Sequence, residues 1–438
     1  MPRMIYWNVQ LFSEDKFYVR GRKRKRDEEE DWGVNYANRY RRVLLRTVRR
    51  HQPDFIVIAE LRRGGRVAQG ALLRDTGALR MLESLRGDDA NWQLVPPLLS
   101  GLNNAGEGIA VFWRRSARLW FTGPWRWPGG GGPAAPFPGA TGAYPGIIGW
   151  DDALDRHRRT PNHAENLYAR DRWEDQLAGQ WRYPGPMGLP MIFGSPTGRS
   201  PFHVTFYDSV ARQNYSIYAL HMTPSQRGGP GGVAAAPSTL GSAQVGNLPG
   251  VQAAGARETV VVIGDFNVSL FDAAATAVAY GPFGAAGHQQ LIEQVAGHPM
   301  PAGYPSRGYL ITHIKAANRA TPSWARGYPA FDYGSARDAY GQYDSIDNGF
   351  VLGGAVGNVT IANIVSGAPY TRVPAPADVP TGALAYRSRM ENPAALNVPA
   401  GYNPAGMSFL DETDLFQDVN NYGRVYGVSD HLPIAFDF

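Results

Sequence analysis

The sequence predicts one α/β domain, over residues 1–438, whose loops have been lengthened. Short β-rich apolar runs recur from residue 4 to residue 438, and a helical pattern precedes the second run. Glycine and proline make up about a fifth of the residues, against ~12% in an average protein, and they cluster between these runs. Because the strands are spread along the whole chain, we expect a single domain rather than two.

The predicted strands share apolar, β-branched and aromatic residues. They are Met4–Leu11, Phe55–Glu60, Gly108–Arg114, Phe202–Tyr207, Tyr215–His221, Thr259–Ile263, Phe350–Val351 and Pro433–Phe438. The predicted helix covers Arg39–His51, where Val43, Leu44, Thr47 and Val48 share one face and arginines occupy the other.

Segments rich in glycine and proline separate these elements. Gly123–Gly146 cannot form a helix or a central strand, and Gln226–Gly250 and Gly353–Pro404 have similar compositions. We therefore expect inserted loops at about 12–35, 115–198, 225–255 and 353–425.

Composition excludes several classes of protein. The absence of cysteine excludes disulfides, thiolate zinc sites and a cysteine nucleophile. No apolar run approaches the ~18 residues that span a bilayer, and residues 1–7 do not resemble a secretory signal. The expectation is a cytoplasmic protein, with export by another route or nuclear entry left open.

The charge is mildly basic and consists mainly of arginine. The formal net charge is +5, and only four of the 43 basic residues are lysines. Arginine suits phosphate recognition, but GC-rich codon usage also enriches it, so charge alone favours nucleic acid weakly. The basic run Arg20–Arg26 is followed at once by the acidic run Asp27–Asp31. We interpret the two runs as a self-neutralising loop, with phosphate binding or nuclear targeting as the alternatives.

Polar side chains stand where five predicted strands end or begin. They are Asn8, Glu60, His221, Asp265 with Asn267, and Asp430 with His431. Carboxylates, amides and two imidazoles together are the side chains needed for an oxygen-liganded divalent metal and for acid–base catalysis. Without thiolates, Glu60 suits Mg²⁺ or Mn²⁺ rather than zinc. The pattern indicates metal-assisted hydrolysis of a phosphoester.

Eight motifs carry a family resemblance. They are IYWNVQLF, PDFIVIAE, GEGIAVFWRR, RSPFHVTF, IYALHMTPS, VVVIGDFN, YDSIDNGFV and VSDHLPI. In this order they resemble the endonuclease/exonuclease/phosphatase superfamily, and within it deoxyribonuclease I-like nucleases. GDFN followed by SDHLP is the most specific combination. The resemblance implies a four-layer α/β/β/α sandwich, with two mixed sheets face to face and helices outside.

The resemblance also implies residue roles. Asn8, Glu60 and Asp430 match metal-binding positions. Asp265 and Asn267 match the pair that orients the nucleophile and the phosphate.

Two histidines, His221 and His431, match the catalytic histidines of the family, each of which has a carboxylate partner. Glu107 stands where the partner of His221 is expected. For His431 we expect Asp347, since it begins a strand pattern, and Asp344 is the alternative.

Arg199, which precedes Ser200-Pro201, matches an arginine that contacts the DNA phosphate. Ala59 stands where the family often has glutamine, which removes a contact behind the metal site. The other histidines are expected to be ordinary loop or helix residues: His51, His157, His163, His203, His288, His298 and His313.

The expected function is Mg²⁺-dependent hydrolysis of DNA phosphodiester bonds by an endonuclease, with Mn²⁺ or Ca²⁺ as alternative ions and no obligate protein partner. A phosphoinositide phosphatase or a sphingomyelinase-type phosphoesterase of the same fold is the first alternative. A catalytically inactive binding scaffold is the second, and the complete set of catalytic side chains weighs against it.

Overall fold

The structure, a computed structural model, describes most of the predicted strands and the segments between several of them. The described residues are 1–12, 45, 47–61, 77–95, 99–100, 107–116, 118–123, 125–126, 135–136, 193, 198–199, 201–224, 233–270, 272–292, 312–314, 343–344, 346–362, 369–370, 429 and 431–438.

The strands are numbered in chain order. They are β1 (Arg3–Phe12), β2 (Phe55–Leu61), β3 (Trp92–Val95), β4 (Leu99–Ser100), β5 (Glu107–Arg114), β6 (Leu119–Gly123), β7 (Trp125–Arg126), β8 (Ala135–Pro136), β9 (Phe202–Asp208), β10 (Gln213–His221), β11 (Glu258–Asp265), β12 (Gln289–Gln290), β13 (His313–Ile314), β14 (Tyr343–Asp344), β15 (Asp347–Leu352), β16 (Gly357–Ala362), β17 (Pro369–Tyr370) and β18 (Ile434–Asp437).

Most of the described strands form two mixed sheets. The first sheet has the order β17-β16-β18-β1-β2-β5-β3, with β4 also on β5, and the second has the order β12-β15-β11-β10-β9-β6. Each sheet contains a parallel pair, β1 with β2 and β10 with β11, flanked by antiparallel strands. Two short hairpins, β7 with β8 and β13 with β14, stand apart.

The two sheets pack face to face through aromatic side chains. Phe55 of β2 lies 4.8 Å, between ring centroids, from Phe206 of β9 and 6.4 Å from Tyr215 of β10. Trp113 of β5 also contacts Phe206, at 5.6 Å. Each of these four rings is less than 5% exposed, so they form a dry layer between the sheets.

Helices cover the outer faces. They are α1 (Gly77–Arg86), α2 (Pro237–Gly246), α3 (Pro249–Gln252) and α4 (Ala273–Ala285). On the second sheet, Val260, Val262 and Phe350 pack against Val245 of α2 and Phe283 of α4.

The helix α1 lies beside the edge of the first sheet, where Arg86 Nε donates to the carbonyl of Trp92 in β3 at 2.8 Å. The order of layers is therefore helix, sheet, sheet, helix, and the expected four-layer α/β fold is confirmed. None of the described helices is long and apolar enough to cross a membrane.

Part of the predicted loop 225–255 is helical, which corrects that prediction. Pro237 stands in the first turn of α2, where a missing N–H costs nothing. Gly241 and Gly246 allow close packing, because a Cβ would lie 3.0 Å from Met222 Sδ and 2.9 Å from Pro282 Cβ, respectively. The glycines that suggested a loop are thus packing positions.

Strands also occur inside two other predicted loops, since β6 falls within 115–198 and β16 within 353–425. Most of the remaining residues of those two loops, and of 12–35, lie outside the described residues. Of the predicted helix Arg39–His51, Leu45 and residues 47–51 are described, and they are helical.

Candidate active site

The predicted site residues converge at one end of the two sheets, where the parallel strands finish. Asn8 lies near the end of β1 and Glu60 near the end of β2, while His221 and Asp265 are the last residues of β10 and β11. Antiparallel neighbours begin at the same edge, which adds Glu107, Asp347 and His431. Crevices outside the carboxyl ends of parallel strands are common ligand sites.

Three of these residues lie side by side on neighbouring strands of the second sheet. His221 pairs in register with Asp265, and Asp265 pairs with Asp347. Residues in register share a face of the sheet. His221 and Tyr215 are an even number of residues apart on β10, so their side chains are on the same face of the strand. The ring of Tyr215 contacts the first sheet, so these three side chains face the space between the sheets.

Glu60 breaks the alternation of β2. Phe55 faces the second sheet, so a regular strand would turn Glu60 to the outer face. Ile58 pairs with Ala110 of β5, and Leu61 pairs with Gly108, so β2 has one more residue than β5 over this stretch. Glu60 lies within it and has φ 63°. This bulge brings the carboxylate into the site, where Oε1 accepts from Asn8 Nδ2 at 3.1 Å.

Asn8 joins the two sheets. Its Nδ2 also donates to Asp265 Oδ2 at 3.1 Å, and the side chain is fully buried. The acceptor Oδ1 of Asn8 has no hydrogen-bond partner within the described part of the chain. Two carboxylates and a free amide oxygen thus stand together.

His221 is held by a carboxylate and an arginine in series. Its Nδ1 lies 2.8 Å from Glu107 Oε2, and the other oxygen, Glu107 Oε1, lies 3.0 Å from Arg199 Nη2. Arg199 is only 6% exposed, and its Nη1 donates to the carbonyl of His221 at 3.5 Å. The guanidinium therefore lies behind Glu107.

His431 has an equivalent partner. Its Nδ1 lies 2.7 Å from Asp347 Oδ2, and both side chains are buried. The two imidazole Nε2 atoms converge on one oxygen: Asp265 Oδ2 lies 3.4 Å from His221 Nε2 and 3.8 Å from His431 Nε2.

Asn267 lies at the turn that follows Asp265. Its backbone N–H donates to Asp265 Oδ1 at 2.8 Å, and its Nδ2 donates to the carbonyl of Met222 at 2.9 Å. Its φ of 50° is left-handed, a conformation that asparagine tolerates better than most residues. The turn fixes the carboxylate of Asp265 opposite the two histidines.

The His221 network favours an ion pair. Burial and the Arg199 charge lower the pKa of His221, but Glu107 and Asp265 raise it by more, and the net shift is upward. Burial raises the pKa of Glu107, while His221 and Arg199 outweigh that effect and lower it. A protonated His221 beside an ionised Glu107 is therefore stabilised.

The surroundings of Asp265 raise the pKa of its carboxyl group. Burial, followed by the charge of Asp347, raises its pKa to about 6, against the opposing effects of His221, His431 and His313. Strongly shifted carboxyls in polar clefts are typical of functional sites.

The side chains present fit a divalent cation. Glu60, His221 and Asp265 have potential ligand atoms within 4.8 Å of one another, and so do Asp265, Asp347 and His431. The buried acceptor Asn8 Oδ1 adds an amide oxygen. Oxygen-rich ligands favour hard divalent ions.

The predicted residues Asp430 and Asp344 are less fully described. Asp430 lies outside the described residues. The backbone of Asp344, the alternative partner of His431, pairs in register with His313 in the β13–β14 hairpin. It is Asp347 that lies at hydrogen-bond distance from His431.

Two residues at the site were not expected from the sequence. The ring of His313 lies 4.4 Å, between centroids, from that of His431. Tyr6 is fully buried two residues before Asn8, and burial, followed by the charges of Asp347 and Asp265, raises the pKa of its phenol well above the usual value. The two-residue spacing from Asn8 places Tyr6 on the same face of β1, a signal that alternation alone could have provided.

No protein-family model matches the chain, and no curated protein matches it by sequence. Solved structures do match the chain, and three of them are described here. An endonuclease/exonuclease/phosphatase family protein from Leptotrichia buccalis is 12% identical, with a TM-score of 0.41, and the match covers 100% of this chain and 99% of that chain. A mannosyl-6-phosphatase from Bacteroides thetaiotaomicron is 11% identical, with a TM-score of 0.38 and the same coverage. The human Nocturnin catalytic domain is 11% identical, with a TM-score of 0.38, over 100% of this chain and 94% of that domain.

Proposed function

We propose that this protein is a divalent-metal-dependent phosphodiesterase that cleaves DNA as an endonuclease. The observation that carries the proposal is the paired arrangement of His221 and His431. Each imidazole has a carboxylate oxygen within 2.8 Å of its Nδ1, and both Nε2 atoms face Asp265 Oδ2.

The paired histidines suit acid–base hydrolysis. A carboxylate on Nδ1 fixes the tautomer and leaves Nε2 for proton exchange. In the proposed reaction one histidine removes a proton from water as its oxygen bonds to phosphorus, and the other protonates the leaving oxygen as the P–O bond breaks.

The cation would be held by Asn8 and Glu60, with Asp430 as the third residue that the family resemblance implies. Mg²⁺ is the proposed ion, with Mn²⁺ or Ca²⁺ as alternatives, because the proposed ligands are oxygen atoms. When bound, a divalent ion neutralises charge that develops on the phosphate. Asn8 also donates a hydrogen bond to Asp265, so the proposed metal-binding residues contact the carboxylate that faces the two histidines.

Arg199 acts in this proposal through Glu107 rather than by direct contact with the phosphate. Its guanidinium is buried and already engaged with Glu107 Oε1. Asn267 remains the proposed phosphate-orienting side chain, since its turn leads directly from Asp265.

DNA is proposed as the substrate on the strength of the sequence. The Glu107–His221 pair and the Arg199-Ser200-Pro201 motif resemble deoxyribonuclease-like members of the family. The arginine-rich composition and net charge of +5 are compatible with a polyanion.

The first experiment is a plasmid-nicking assay with Mg²⁺, with EDTA, and with the His431→Ala variant. Metal-dependent nicking by the wild type, lost in His431→Ala, is expected. His51→Ala is the matched control, because His51 lies beside Arg3 at the opposite end of β1 from Asn8. It should retain wild-type activity.

A substrate panel separates the alternatives. Hydrolysis of an inositol phosphate or a sphingomyelin vesicle, without cleavage of DNA or RNA, would replace the endonuclease with a phosphoesterase of the same chemistry. Retained nicking by His431→Ala would contradict the site itself. No turnover of any phosphoester in Mg²⁺, Mn²⁺ or Ca²⁺ would favour a binding scaffold.

A further inference from the structure

We propose that His313 is a positioning residue of this active site, and that its ring packs against the imidazole of His431 and holds that imidazole with Nε2 toward Asp265. The inference rests on the proposed function, and it adds a third histidine to the two that the sequence indicates.

The backbone brings the two histidines together. His313 and His431 form an isolated antiparallel β-bridge. Opposite residues in such a bridge send their side chains to the same face. Their ring centroids lie 4.4 Å apart at an interplanar angle of 44°, so the rings are in contact.

The neighbouring Thr312 fixes this segment to both members of the His431–Asp347 pair. Its carbonyl accepts from the backbone N–H of Leu432 at 2.7 Å. Its Oγ1 accepts from the backbone N–H groups of Ile346, at 3.1 Å, and Asp347, at 3.0 Å. Thr312 is fully buried, so these bonds are shielded from water. The register of His313 is therefore tied to the residues that it would position.

The ring contact supplies a restraint that Asp347 cannot supply alone. The hydrogen bond at Nδ1 mainly limits the turn of the imidazole about χ2, and it limits a tilt of the whole ring about χ1 less. A second ring on its face restricts that tilt, and supporting contacts of this kind keep a catalytic group in its productive geometry. His431 Nε2 then stays 3.8 Å from Asp265 Oδ2.

Electrostatics agree with this placement. The charge of His313 is one of the effects that lower the pKa of Asp265, so the side chain lies within electrostatic range of the reaction site. His313 is half-buried, whereas His431 is almost fully buried.

The test compares His313→Ala with His313→Phe in steady-state hydrolysis of a chromogenic phosphodiester. Phenylalanine keeps a ring against His431 but carries no nitrogen. We expect His313→Ala to lower kcat about 10-fold to 100-fold, the scale of a misplaced catalytic group, with little change in KM. His313→Phe should stay within about threefold of wild type in both constants.

Two kinetic outcomes would overturn the inference. Equal loss in both variants, with a raised KM, would mean that the imidazole itself binds substrate. Unchanged kcat in His313→Ala would mean that the contact is irrelevant. His288→Ala is the control: His288 is a buried histidine whose Nε2 lies 2.8 Å from the carbonyl of Val251, outside the site. It should change thermal stability but not kcat.

An activity-independent measurement separates this inference from the proposed function. In ¹⁵N-histidine-labelled protein, the His431 ring signals can be assigned by their loss in His431→Ala. They should move or broaden in His313→Ala and stay near their wild-type positions in His313→Phe. Unmoved signals in a folded His313→Ala protein would refute positioning whatever the activity. If the signals respond but the wild type hydrolyses no phosphoester, the positioning role stands and the proposed function fails.

Discussion

At the scale of single residues, Glu60 shows backbone strain at the proposed metal site. Its φ of 63° is unusual for a glutamate, since this region favours glycine and asparagine, and such conformations cost about 1–3 kcal/mol. Strain of this kind persists only where the surroundings enforce it, which here means the bulge in β2. The strained backbone is what turns the carboxylate toward Asn8.

Glycine at position 60 should separate stability from activity. Glu60→Gly and Glu60→Ala both remove the carboxylate, so both should lose metal-dependent turnover. Only glycine relieves the left-handed conformation, and Glu60→Gly should be more stable than Glu60→Ala by about 1 kcal/mol. Urea unfolding of the two variants measures the difference. Equal stability would show that Glu60 carries no strain.

The carboxyl of Asp265 makes stability depend on pH. Its pKa is about 6 in the folded protein and 3.8 ordinarily, so between these values the folded chain keeps a proton that the unfolded chain has released. The contribution of this carboxyl group to the free energy of unfolding is therefore fully present below pH ~4, and it is lost as the pH rises through about 6.

Asp265→Asn should remove this pH dependence. Relative to wild type, the variant should gain on the order of 1–3 kcal/mol of unfolding free energy between pH 4 and pH 7. Denaturant unfolding at both pH values, with EDTA present, tests the sign. If the advantage of Asp265→Asn over wild type in unfolding free energy became smaller from pH 4 to pH 7, the raised pKa of Asp265 would be contradicted.

At the scale of elements, the parallel pairing of β10 and β11 aligns His221 with Asp265. Gly264 lies in register with Leu220, one step before this pair. A Cβ on Gly264 would overlap the carbonyl oxygen of Leu220, which is backbone and cannot turn aside. The glycine of GDFN is therefore a requirement of strand packing.

Gly264→Ala should destabilise the fold strongly, by about 3 kcal/mol or more, because β10 and β11 must separate. Gly284→Ala is the control. A Cβ there meets nothing within 4 Å on the exposed side of α4, so it should be neutral or gain up to about 1 kcal/mol. Thermal unfolding of both proteins measures the contrast. Comparable melting temperatures would show that the two strands can absorb the methyl group.

At the scale of the whole molecule, the site depends on strands from both ends of the chain. β18 pairs with β1 on one side and with β16 on the other, so it is an internal strand of the first sheet. Arg3 Nε lies 2.6 Å from Asp437 Oδ1, and the N–H of Phe438 donates to the carbonyl of Pro2 at 3.0 Å. His431 lies three residues before Ile434, the first residue of this strand.

Proline in β18 should therefore unfold the sheet. Ala435 pairs with Ile5 of β1 and with Thr360 of β16. Ala435→Pro removes a ladder N–H and adds a clashing ring, and it should cost about 3 kcal/mol or more. Ala435→Gly, which keeps the N–H, should cost about 1 kcal/mol. Circular dichroism and denaturant unfolding compare the two, and a stable Ala435→Pro protein would contradict the internal position of β18.

The sequence by itself determined eight of the described strands and the polar side chains at their ends, whereas β3, β6 and β16 were among the strands that it did not indicate. Apolar β-rich runs and the polar residues that bound them are local patterns, so Asn8, His221 and Asp265 could be recognised without a structure. The Glu107–His221 and His431–Asp347 pairs followed from a family resemblance, and the structure places both at hydrogen-bond distance. Helix α2 was missed because its glycines and prolines have the composition of a loop.

Only the tertiary structure decided which way several of these side chains point. Alternation would turn Glu60 out of the site, and a bulge against β5 turns it in. Arg199 lies behind Glu107, and His313 meets His431 across a bridge between residues 118 positions apart. Such contacts depend on strand register and on packing between distant segments, and no local pattern of residues records either one.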